Sequence, residues 1–183
     1  RSQVRIGPGI EAKPVDGQGV LDWFTLRSES VLHSLENIDP TEALWTWSDH
    51  QDAGFYFRRM ANEVAVHVCD LQRAVSRLVA MDRSLACDGI DELYIDMLAN
   101  WARRNGREFP QGSLHLHCTD GEGEWLIVPT KDQVVVTHEH AKGDVAWRGS
   151  AVSLILSAWG RTETGIEVFG DANISDQWLN FAP

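Results

Sequence analysis

GREFPQGSLHLHCTDGEGEWLIV, residues 106–128, is the stretch where the periodicity of the chain changes. Upstream of it apolar side chains recur every three or four residues, as one face of a helix requires; from Phe109 and Pro110 onward they alternate, as a half-buried strand requires. SLHLHC and EWLIVP have strand length and β-branched or aromatic content, and DGEG between them is a four-residue hairpin signal. QVVVTHEH and DVAWRG follow as strands, then SAVSLILSAWG as a helix closed by Gly160, GIEVFG as a fifth strand, and a last helix over residues 174–180.

On the other side of the break three helices are predicted. Residues 20–37 carry Val20, Phe24, Val31, Leu32 and Leu35 at helical spacing and stop at Asp39 and Pro40. Residues 55–81 carry a stripe of Met60, Val64, Val68, Leu71, Val75 and Leu78, with Arg58, Arg59, Arg73 and Arg77 free to face outward. Residues 91–104 place Ile90, Leu93, Met97, Leu98 and Trp101 on one face, with Asp88 as N-cap and Asn105-Gly106 as a stop. Residues 1–18, rich in Gly and Pro, read as a connector. The expected class is α+β: a helical segment over residues 1–107, then a small domain with a mainly antiparallel sheet over residues 108–183. Three amphipathic helices make a poor bundle alone, and residue 1 is Arg and not Met, so the chain is expected to be a fragment.

Composition bounds the function. With 27 acidic against 16 basic residues the net charge is -11, which repels polyanions and argues against nucleic-acid or anionic-membrane partners. No apolar run has the length of a membrane span. Cys69, Cys87 and Cys118 are odd in number and lack CxxC spacing, so neither a disulfide framework nor a zinc knot is indicated and a cytoplasmic setting fits. All three read as small apolar fillers, and the eight tryptophans as core anchors, with Trp45 and Trp47 in LWTW able to line a pocket wall.

The most specific chemical signal is Glu63 and His67 within FRRMANEVAVHVCDLQ. Four helical residues advance about 400°, so both side chains share a face and can share a metal ion, with a carboxylate oxygen and an imidazole nitrogen suited to zinc. Asp70, three residues on, can orient the imidazole. By spacing alone a solvated Glu/His pair is the commoner explanation, and a catalytic zinc wants a third ligand. His33 and His50 are the candidates for it within the helical segment. A rival site lies in the strands. His115 with His117, and His138 with His140, each stand two residues apart and so point to one side of a strand. With a Glu five residues after His117, the first pair looks like half of a cupin metal motif, though four or five strands are too few for a jelly roll and polar residues on a wet sheet face also explain it.

FRRMANEVAVHVCDLQRA, LACDGIDEL, SLHLHCTDGEGEWLIV, GDVAWRGSAVSLILSAWGR and IEVFGD resemble, in order and spacing, the mycothiol-dependent maleylpyruvate isomerase family. The resemblance covers the chain from about Val20 to Trp178 and implies a partial DinB-like antiparallel helical bundle followed by a domain similar to sterol carrier proteins. It implies a divalent metal, usually zinc, held by a histidine on an early helix and by a Glu and a His four residues apart on a later one; Glu63 and His67 match the later pair. Nothing matches the early histidine, so the first two helices of the bundle are expected to be missing, with His33 on the wrong helix to substitute. The family reads AHE and VHR where this chain has Asn62 and Val68. By the same resemblance, mycothiol is the thiol cofactor. Its zinc-stabilised sulfur adds to an activated double bond, allows rotation and leaves, or is transferred to an electrophile. Arg148, in the matching WRG segment, is expected to clamp a substrate carboxylate. The alternatives are a non-catalytic DinB-like metal- or ligand-binding protein and the cupin-like site in the sheet.

Overall fold

The computed structural model describes residues 14–161 and 165–181. Helix α1 (Gly17–Glu36) starts where the Asp16 carboxylate accepts the Gly19 N–H at 2.6 Å. Helix α2 (Gly54–Ala74) ends at Ala74 and not near Met81. The Val75 N–H closes on the carbonyls of Leu71 and Arg73, Ser76 takes a left-handed φ of 54°, and the Gln72 side chain accepts the Ala80 N–H. Helix α3 (Arg83–Asp91) begins earlier than predicted because Asp82, not Asp88, is its N-cap, accepting from Ser84 N and Leu85 N. A π-helical turn, Glu92–Met97, joins it to α4 (Leu98–Asn105), which ends as predicted on Gly106 at a φ of 60°.

The face that α2 buries also differs from the prediction. Phe55, Arg59, Asn62, Val66 and Cys69 turn inward, while Val64, Val68, Leu71 and Val75 of the more apolar stripe are exposed. Arg59, expected to face solvent, is buried because the π turn presents Glu92 as its partner. Helix α1 buries no residue: Phe24, Val31 and Leu32 are exposed.

The alternating half forms β1 (Leu114–Cys118), β2 (Glu124–Pro129), β3 (Val134–Thr137), β4 (Val145–Gly149), helix α5 (Ala151–Ala158), β5 (Glu167–Gly170) and helix α6 (Ala172–Leu179). The sheet order is β3-β2-β1-β4-β5; β1 runs parallel to β4 and every other pair is antiparallel. The chain is thus an α+β protein. Leu114, Leu116, Trp125, Ile127, Val145 and Trp147 face one way, packing against Leu154 and Ile155 of α5 and Trp178 of α6. Ile90, Leu93, Tyr94 and Leu98 join the same cluster, so α3 and α4 share a core with the sheet across residue 107. This cluster supplies the main driving force, at roughly 1.5–3 kcal/mol for each large apolar side chain taken out of water. The opposite sheet face carries His115, His117, Glu124 and Arg148.

Candidate active site

Glu63 and His67 lie one turn apart on α2, with His67 Nε2 3.1 Å from Glu63 Oε1. The other ring nitrogen, Nδ1, is 3.1 Å from Asp70 Oδ2. Asp70 in turn accepts from Arg161 Nη2 at 2.7 Å and from Nε at 3.1 Å. Those bonds hold the Asp70 carboxyl below its usual range, with burial opposing and the His67 contact assisting. The His67 ring thus stands between two carboxylates, Asp70 at Nδ1 and Glu63 at Nε2. The donor set therefore fits a divalent metal as two ligands, one nitrogen and one oxygen.

Glu63, His67 and Arg161 line a cavity of about 360 Å³, with Asp70 linking His67 to Arg161. Trp47, Trp101 and Trp159 form apolar walls, and Arg59, Arg104 and Arg161 bring positive charge. Trp47 is one of the two tryptophans the sequence nominated; Trp45 is half exposed, and its carbonyl accepts from Tyr56 Oη. Arg59 reaches Glu63 and also Glu92 Oε2 at 2.5 Å, with its guanidinium 5.8 Å from the Trp159 ring. Glu92 is buried, and burial pushes its carboxyl up despite the opposing pull of Arg59 and Arg58; Glu92 Oε1 has no hydrogen-bond partner among the described residues. Arg104 makes no ion pair among the described residues.

Asn62, where the family pattern has a histidine, is buried and donates to Asp88 Oδ2 at 2.8 Å, so it braces α2 against α3 alongside the Arg58 to Asp88 pair. His33 is exposed on α1 against Asn37, and His50 pairs with Asp96 at 3.2 Å; neither lines the cavity. Arg148 stands on the open sheet face, 3.2 Å from Glu167, and is not brought together with Glu63 and His67. Cys69 and Cys118 are buried, as expected of fillers; burial raises the Cys69 and Cys87 thiols and pushes Cys118 up to about 12, which keeps them protonated.

The strand histidines part company with their pattern. His115 and His117 do point to one side, but β3 ends at Thr137, so His138 and His140 lie on a loop. His138 turns to Asp91 at 2.8 Å, beside Trp125, and His140 to Glu124. The five strands form one sheet and not a cupin jelly roll, and the carboxylate that meets the histidines is Glu124, across the hairpin, in place of Glu122.

Arg161 and Trp159 were not legible as site residues, since they reach the cavity from beyond α5. Arg59 carried a visible signal, its four-residue spacing to Glu63. An α+β chain with a tryptophan-walled, cationic cavity beside a Glu/His pair is the class defined by this geometry. Residues 9–72 match the family described as mycothiol maleylpyruvate isomerase N-terminal domain, and residues 84–173 match the MDMPI C-terminal domain. The chain belongs to the mycothiol maleylpyruvate isomerase family. A solved structure of a UbiJ-SCP2 ubiquinone synthesis protein is 18% identical, with 54% of this chain and 93% of that one covered, at a TM-score of 0.37. No curated protein matches the chain. No helix among the described residues is long and apolar enough to cross a membrane.

Proposed function

We propose that this chain carries a zinc-assisted, mycothiol-using isomerase or thiol-transferase site for a small carboxylate-bearing electrophile. The observation that carries it is the chain of contacts from Glu63 through His67 and Asp70 to Arg161, of which Glu63, His67 and Arg161 line the cavity. Glu63 and His67 would hold the ion, and the ion and thiol when bound supply a thiolate nucleophile at neutral pH.

The protein's own groups do the rest. Asp70 keeps the His67 ring turned toward Glu63. Trp47, Trp101 and Trp159 displace water, which strengthens every charge interaction inside. Arg104, a cation on the cavity wall with no ion pair among the described residues, takes the carboxylate-clamping role first expected of Arg148. A reducing cytoplasm, in keeping with three free cysteines, would preserve a thiol cofactor.

The test is zinc content together with mycothiol-dependent conversion of maleylpyruvate, in the protein and in a Glu63→Gln/His67→Asn double variant. One equivalent of zinc and the conversion should both be lost in the double variant; unchanged conversion overturns the reading. One observation favours the non-catalytic alternative: Arg59 already pairs with Glu63, so the cationic cavity could hold an anionic ligand without a metal. Anion binding with no turnover, and with the same zinc content in the unaltered protein and the double variant, would decide for it.

A further inference from the structure

We infer a second divalent-metal site of the zinc class on the open face of the sheet, formed by His115, Glu124 and His140 with His117 as a fourth donor. Strand pairing sets three of the four. Glu124 lies directly across the β1/β2 hairpin from His117, and His115 is two residues back on the same face of β1. The loop after β3 brings His140 over the pair. All three imidazoles converge on one carboxylate: His115 Nε2 is 2.6 Å from Glu124 Oε2, while His117 Nδ1 and His140 Nδ1 are 2.5 and 3.1 Å from Oε1.

Three further facts point past a plain hydrogen-bond cluster. The donor atoms of His115, Glu124 and His140 lie within 4.8 Å of one another. The ring centroids of the three histidines are 5.4, 5.9 and 6.3 Å apart, close to the separation of about 5 Å that rings sharing one tetrahedral zinc would have. His115 is buried beneath Gly143, where an added Cβ would stand 3.2 Å from the His115 Cβ, so this histidine is not the solvated surface residue that the wet-face explanation needs. The nearest cation in register, Arg148 beside His117, is turned to Glu167 and leaves the carboxylate to the histidines. Imidazoles with one carboxylate suit zinc, cobalt or nickel and not calcium or magnesium, which favour all-oxygen sets. A metal here would tie the β3/β4 loop to the centre of the sheet. This site is independent of Glu63 and His67, which lie on α2.

The experiment uses tag-free protein carrying Glu63→Gln/His67→Asn, so that only the sheet site remains. It should retain one equivalent of zinc, show the visible bands of tetrahedral cobalt when loaded with that ion, and gain thermal stability on zinc addition. His140→Ala in that background should weaken zinc binding roughly tenfold or more and abolish the cobalt bands, as should Glu124→Gln. His140 is exposed, so its removal does not threaten folding even if His115→Ala does. Absence of bound metal in the double variant overturns the proposal, and so does metal bound with the same affinity after His140→Ala and Glu124→Gln.

Discussion

Arg161 grips Asp70 through two hydrogen bonds, 2.7 Å from Nη2 and 3.1 Å from Nε, and so ties the segment after α5 to the middle of α2. Through Asp70 this pair holds the His67 ring, so a residue of the second half of the chain reaches the Glu63 and His67 pair of the first.

Asp70→Asn should therefore weaken zinc binding at Glu63 and His67 by about 10- to 100-fold while the fold survives, because the amide no longer fixes the imidazole as an ionised carboxylate does. Zinc titration with competing chelator reads the effect. Unchanged affinity would show that Asp70 is only a surface partner of Arg161.

The same pair has a pH signature. Because the folded Asp70 carboxyl lies below its usual range, chiefly through Arg161, its contribution is present above the unfolded value of about pH 4 and is lost as pH falls through the folded value. The difference in Tm between the protein and Arg161→Met should hold at neutral pH and close below about pH 4. Both groups are partly exposed, so the difference should be modest. A difference independent of pH would assign the loss to packing.

Arg104→Ala should raise KM for a carboxylate-bearing substrate about tenfold or more with little change in kcat, as expected for loss of one charged hydrogen bond made equally in ground and transition states. Arg148→Ala, on the other sheet face, should leave both constants unaltered. The reverse pattern would return the clamp to Arg148.

Arg59→Met strands Glu92 in the core and should destabilise the protein by about 3–5 kcal/mol. The loss should grow as pH rises above the ordinary carboxylate range, since burial already pushes Glu92 up and removing Arg59 takes away the larger of the two charges that oppose it. Adding Glu92→Gln should recover part of it in urea unfolding. Equal destabilisation with and without Glu92→Gln would mean that Arg59 acts by packing against Trp159 and Met97.

Much of this was legible in the residues. The change of period near Phe109 located the sheet, the turn glycines placed its hairpin, and Gly106 and Gly160 closed their helices, because each is a local rule of backbone sterics. ExxxH likewise brought Glu63 and His67 together, since helical spacing needs no other element. Hydrophobicity misjudged α2: its most apolar stripe is the exposed one, and the buried face carries Arg59 and Asn62, whose burial depends on Glu92 and Asp88 from another helix.

The sequence by itself determined the α+β order of elements and the spacing of the Glu63 and His67 pair, both of which follow from interactions a few residues long. Only the tertiary structure decided that Arg161, Trp159 and Arg104 close one cavity around that pair, and that His140 joins His115 on Glu124 and parts from His138. Those contacts join residues far apart in the chain, and the packing of helices on the sheet, with one loop folded back over it, sets their distances where no local periodicity can.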